Sequence, residues 1–301
     1  MSMFERASGL AVRHLNSDQV AQLRQRYWWL RARLAPLMRT AYGTFGPDDL
    51  RKHLSERIGS NFEILMVHSS VNHMQPMYTA GPLELLRMLL DFVGPARTLA
   101  MPAFYFGDLK YSGTLETGQQ QPRFDLRRTP SEMGLLTEMF RRWKGTVFSR
   151  HPFYRVTALG PLAADLVRGH ERAGTPSGHG TPFDFMANHD TLILGIGKPF
   201  EVLTQIHHAE AVLGEEFPVP ATIEDPLPMT LVDGKEDIPF VHYGRRLQWR
   251  RDIWKLRTIM DRSQLQEWSF HHVPFFATRA ADVSRSLIDA ARRGVTLYER
   301  P

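Results

Sequence analysis

The sequence has no cysteine in its 301 residues. That excludes disulfides, thiolate metal sites and a cysteine nucleophile, so any thiol in the chemistry has to belong to a ligand. Long apolar runs are absent too, and none approaches the roughly 18 residues a membrane span needs. The opening MSMFERASGLAVRHLNSDQ breaks every apolar stretch with charge and does not read as a signal peptide. These absences predict a cytoplasmic protein with no membrane partner. Neither charge sign dominates: 37 basic residues face 32 acidic ones, for a net +5. This balance is too mild and dispersed to indicate a nucleic-acid partner. There is no internal repeat, and no linker that forces two independent domains.

A chain that is 43% hydrophobic and 23% charged is globular, and its length suits one large domain or two modest ones. The basic residues gather in RRTP (127–130), RRWKG (141–145), SRHP (149–152) and GRRLQWRRD (244–252). Such clusters suit phosphates or another acidic ligand, and equally a solvated helix face.

Residues 1–45 read as a helical N-terminal extension, with apolar residues at helical spacing broken by Pro36. Pro47 and Gly59 then bound a short helix. FEILMVHSS reads as a buried strand, GPLELLRMLLDFVG as a helix and RTLAMPAFYF as a second strand. Strand, helix, strand implies a crossover and a parallel pair covered on both faces. A polar loop is expected over 107–125, a helix in SEMGLLTEMFRRWKG and a strand in TLILGIG. Further on, PMTLVDGKEDIPFVHYG reads as an antiparallel hairpin turning at Asp233-Gly234. The predicted fold is α/β: a three-layer α/β/α arrangement with a mixed, largely parallel sheet and a smaller antiparallel C-terminal portion. In open sheets, ligands collect at the ends of the parallel strands. Ser69 and Ser70, Pro102 to Phe106, and Gly195 with Gly197 are therefore expected to face one crevice.

Directly after that last strand comes LTQIHHAEAVLG (203–214). On a helix, His207 and Glu210 share a face, while His208 points roughly 100° away. A carboxylate at this spacing can hold an imidazole in one tautomer, as proton transfer requires, or can form a plain ion pair.

Several blocks in order resemble the aminoglycoside 3-N-acetyltransferase family: LMVHSSV (65–71), GPLELLRMLLDFVGPARTLAMPAF (81–104), TPSEMGLLTEMFRRWKGTVFSRHP (129–152), ALGPLAADLVRGH (158–170), GTPFDFM (180–186) and LILGIGKPFEVLTQIHHAE (192–210). The resemblance implies an acetyltransferase domain over 46–301, with acetyl-CoA as co-substrate and a small-molecule amine as acceptor, and it allows a homodimer. The family's Thr-x-x-His-x-x-Glu falls on Thr204, His207 and Glu210. An ammonium group cannot attack a thioester until its proton is removed, and His207 is the candidate base, with Glu210 holding it. His151 is a second catalytic candidate. Ser69, Ser70, Val71, Phe104, Arg150 and Thr181 are assigned to the donor, and Tyr105, Asp108, Arg155 and Thr204 to the acceptor. No metal is expected.

The chain departs from the family at Arg155, where a serine is usual, and in the loop after Ser70, VNHMQPMY, which lacks the usual glycines. A cation at 155 would repel a polycationic drug but suit an acidic acceptor. The expected acceptor is therefore an amino sugar of surface-polysaccharide or secondary-metabolite biosynthesis, with an aminoglycoside-modifying resistance enzyme as the alternative. Two further readings are a metal-dependent hydrolase using His207, Glu210, His151 and His179, and a non-catalytic ligand-binding protein.

Overall fold

The computed structural model describes residues 17–107 and 114–301. Its centre is a seven-stranded sheet with spatial order Leu265–Phe270, Val273–Arg279, Thr191–Ile196, Ile64–Ser69, Thr98–Pro102, Val156–Leu159 and Val147–Phe148. Only the three central strands run parallel, Ile64 lying opposite both Thr98 and Thr191. The strands to either side pair antiparallel.

Successive strand residues face opposite ways, and this alternation builds the layers. Ile64, Met66, Ala100 and Ile193 enter one core together with Phe183, Ile206 and Leu287. These last three come from the helices Pro182–Ala187, Ile206–Leu213 and Ala280–Arg292. Leu65, Val67, Leu99 and Leu192 enter the other core, with Leu50, Leu89 and Phe140 from Pro47–Arg57, Pro82–Val93 and Leu135–Arg141. Both faces of the sheet are thereby covered, as near-continuous apolar strands demand. The helices beginning at Pro47 and Pro82 start alike. Asp49 and Glu84 accept from the backbone N–H of Gly46 (2.8 Å) and Gly81 (3.1 Å), satisfying a donor no turn of helix can reach.

The hairpin of Leu265–Phe270 and Val273–Arg279 extends the main sheet in a region where the sequence shows no turn signal. Its two-residue turn is His271-His272, both at positive φ (48° and 61°), where glycine or asparagine is usual. Contacts from the N-terminal helices support the turn: His272 stacks on Tyr42 at 4.1 Å, and the His271 ring bonds the Tyr42 carbonyl. The second hairpin, Leu227–Asp233 with Glu236–His242, turns at Gly234-Lys235, one residue later than Asp-Gly suggested. Arg123–Asp125 joins its edge, so the expected 107–125 loop ends in a strand, preceded by the helix Thr114–Gln120. Two small ribbons complete the frame, Ala221–Ile223 with Arg245–Leu247 and Arg250–Arg251 with Tyr298–Glu299.

The N-terminal helices Ser17–Arg33 and Ala35–Tyr42 divide at Leu34, ahead of Pro36. Arg31 donates to the carbonyls of His73 and Gln75, and Arg39 to that of Pro76. These bonds fasten the extension over the loop that follows Ser70. Gly197 is the close-approach glycine at this end of the sheet. Its φ is +69°, and a Cβ there would lie 2.6 Å from the Ser70 carbonyl oxygen.

Candidate active site

The helix Ile206–Leu213 turns Ile206, His208, Ala209 and Leu213 into the core. That rotation leaves His207 and Glu210 on its other side, in a cleft of ≈ 1120 Å³. His208 takes the structural role its position implies: its ring bonds Ser284 Oγ (3.0 Å) and Asp184 Oδ1 (3.3 Å).

His207 Nδ1 lies 2.8 Å from Glu210 Oε2. With the carboxylate ionised, Nδ1 carries the proton and the Nε2 lone pair is the basic site. The other Glu210 oxygen, Oε1, accepts from the Tyr298 hydroxyl at 2.7 Å. Arg251 donates to that hydroxyl from Nε (2.9 Å) and Nη2 (2.7 Å) and stands 3.5 Å from Glu210 Oε1. Burial alone would push the Glu210 carboxyl up. The facing His207, Arg251 and Tyr298 outweigh it and hold the group below the ordinary carboxylate value. Burial and the neighbouring Glu210 push the Tyr298 phenol up, so it stays a proton donor.

Phe104, Phe106 and Tyr154 form an apolar wall, fixed by a reciprocal pair of bonds. Glu132 N–H donates to the Phe104 carbonyl (2.9 Å), and the Glu132 carboxylate accepts from Phe106 N–H (2.7 Å). The opposite wall comes from the two ribbons and carries Arg245, Arg246 and Arg251. Three carboxylates, Glu210, Glu215 and Glu224, also reach the cleft. Glu224 pairs with Arg246 at 3.2 Å. Among the described residues, no group of three or more His, Cys, Asp or Glu side chains could hold a metal ion. His179, the further ligand considered for a hydrolase, lies instead against Asp184 at 3.5 Å.

Of the residues singled out from sequence, His207, Glu210 and Phe104 line the cleft. His151 is buried behind it. Its Nδ1 accepts from the backbone N–H of Phe153 (3.1 Å) and Tyr154 (3.0 Å). Burial, reinforced by His170, His242 and Arg155, keeps its pKa well below the usual histidine value. It shapes the turn that presents Tyr154 and is not part of the cleft lining.

Arg155 corrects the acceptor assignment. It has 0% exposure, and its guanidinium donates to the carbonyls of Leu126 (2.6 Å), Thr129 (3.0 Å) and Pro130 (3.1 Å). The strand's alternation accounts for this: Val156 and Ala158 fill the core beneath the histidine helix, so Arg155 is directed to the other side. Tyr105 is buried in the small hairpin core and bonds Gln121 at 3.2 Å. Thr204 supports the first turn of the histidine helix through its carbonyl. Asp108 lies outside the described residues.

The donor residues other than Phe104 lie outside the cleft lining. Ser69, Ser70 and Val71 end the central strand outside the cleft lining, and the Ser70 hydroxyl is engaged by His73 Nδ1 at 2.6 Å. Arg150 pairs with Asp233 (3.0 Å) and Glu236 (2.9 Å). Thr181 caps the helix Pro182–Ala187, accepting from Asp184 N–H and donating to the Gly178 carbonyl. The strand ends were located correctly. The cleft, however, lies to one side of them, where the ribbons add a second wall. Arg251, Tyr298, Tyr154 and His242 belong to it, and no spacing in the sequence ties them to position 207.

The α/β sheet thus presents a carboxylate-held imidazole in a cleft open to small molecules. A family model for aminoglycoside 3-N-acetyltransferases matches residues 66–291, and the chain belongs to that family. The aminoglycoside N(3)-acetyltransferase IX of Micromonospora chalcea is 32% identical over 168 residues, 52% of this chain and 58% of that enzyme. This chain thus spans little more than half the length of that relative. Among solved structures, AAC-VIa bound to sisomicin is similar with a TM-score of 0.69 and 23% identity, over 84% of this chain and 99% of that one. AAC-IIIb in binary complex with coenzyme A gives 0.67 and 19%, over 85% and 100%. At these identities the structural likeness establishes the shared fold.

Proposed function

We propose that the chain transfers an acetyl group from acetyl-CoA to an amino group of an aminoglycoside. The observation that carries this reading is the His207–Glu210 pair, which lies in a cleft that also holds Glu215 and Glu224. The thioester supplies an activated acetyl carbon. Nε2 of His207 removes a proton from the acceptor ammonium and passes it to solvent. The freed amine bonds to that carbon; as the carbon–sulfur bond breaks, the nitrogen loses its second proton to Nε2, and the imidazolium hands it to the departing thiolate. Glu210 stabilises the imidazolium while it exists. The carboxylates attract a polyamine, and the three arginines supply cations for an anionic co-substrate.

Sisomicin and coenzyme A are ligands of AAC-VIa and AAC-IIIb, and they are the natural first probes for this protein. The case for an acidic biosynthetic acceptor drew on a cation at position 155 inside the cleft. With Arg155 buried, that argument falls away. Thiol release from acetyl-CoA is expected with sisomicin- and gentamicin-type amines, at a higher kcat/KM than with nucleotide-linked 4-amino sugars. Turnover of the nucleotide sugars with none of the drugs would overturn the proposal.

A further inference from the structure

The carboxylate of Glu210 can rotate about its last side-chain bond, yet only one orientation sets Oε2 against His207 Nδ1. Two residues distant in sequence remove that freedom. The Tyr298 hydroxyl donates to Oε1 at 2.7 Å. Its own direction is settled because Arg251 donates to the same oxygen twice, from Nε and Nη2. With those lone pairs occupied, the phenol proton points to Glu210. Arg251 and Tyr298 stand directly opposite each other in the Arg250–Arg251 and Tyr298–Glu299 ribbon, so the backbone ladder sets their approach. Arg251 also flanks the imidazole, with Nη1 3.5 Å from Nε2 and Nη2 3.5 Å from Nδ1.

We propose that Arg251 and Tyr298 are positioning residues, holding Glu210 in the orientation that fixes the His207 tautomer. The proposal rests on His207 being the base. Arg245 donates to the Glu210 carbonyl at 3.2 Å and so fastens the backbone of the same residue. Loss of Tyr298 leaves Glu210 Oε1 one donor short and lets its carboxylate turn. Loss of Arg251 removes the two donors that direct the Tyr298 hydroxyl.

The test is histidine-selective NMR of the full chain, with the His207 signal assigned by its loss in His207→Gln, alongside steady-state kinetics with acetyl-CoA and sisomicin. In Tyr298→Phe, the Nδ1–H tautomer of His207 is expected to lose population. In Arg251→Gln, it is expected to lose population as well. Tyr298→Phe is also expected to lower kcat by about tenfold, the effect of losing one hydrogen bond to a charged group, with KM within twofold. An unchanged tautomer in both variants would overturn the proposal, as would normal kcat in a Tyr298→Phe protein that is merely less stable. If the unsubstituted protein acetylates no amine, the transferase reading fails by itself, and the tautomer measurement still decides the positioning role.

Discussion

His207→Gln is expected to reduce kcat for acetyl transfer by about 10²–10⁴-fold, the usual contribution of a positioned general base. Coenzyme A affinity and thermal stability are expected to be preserved. The side chain of His207 is 33% exposed and belongs to neither core, so glutamine costs little packing. Its amide can still bond Glu210, which prevents a buried carboxylate from being left alone. What glutamine cannot supply is a basic nitrogen near neutral pH. Single-turnover thiol release together with calorimetric titration of coenzyme A separates these effects. A variant with near-normal turnover would remove His207 from proton transfer. A variant that has lost only coenzyme A binding would move it to the donor site.

The second large effect is on stability. Arg155→Met keeps the aliphatic stem but deletes every donor to the carbonyls of Leu126, Thr129 and Pro130. Burial lowers the Arg155 pKa to about 10, so at neutral pH the group is still a cation, and its desolvation is offset by these three acceptors. Removing it relieves the desolvation cost but strands the carbonyls, and a net loss of about 3 kcal/mol is expected. Denaturant unfolding measures the loss directly. The ratio of kcat/KM between aminoglycosides and nucleotide sugars is expected to stay the same. Unaltered stability with an altered ratio would return Arg155 to the acceptor site.

How far the site was legible follows from how local each relationship is. His207 and Glu210 meet because they stand three positions apart on one helix, and the same periodicity sends His208 inward to Ser284. Both outcomes need only the helical period. Arg155 stands one residue ahead of the strand Val156–Leu159, and its direction depends on which face its neighbours Val156 and Ala158 fill, which is a tertiary fact. Arg251 and Tyr298 are brought to Glu210 by a two-residue ladder between segments 47 residues apart, for which no local pattern exists. The central parallel strands announced themselves as apolar runs. The edge hairpin turning at His271-His272 was hidden, because its positive φ angles fall on residues that carry no turn signal and are held by Tyr42 from the other end of the chain.

The two walls of the cleft differ in how they are held, and this has a thermodynamic consequence. The base rides on a helix packed against Ala280–Arg292 and belongs to the main core. The facing arginines sit on ribbons of three and two residue pairs, and such short two-stranded pieces are marginal by themselves. Local opening therefore requires less free energy on the arginine side than on the base side. Backbone amides of Arg245–Leu247 and Arg250–Arg251 are expected to exchange with solvent deuterium well before those of Ile64–Ser69. The cleft can then admit or release a bulky ligand by transient fraying of one wall, without disturbing the helix that carries His207.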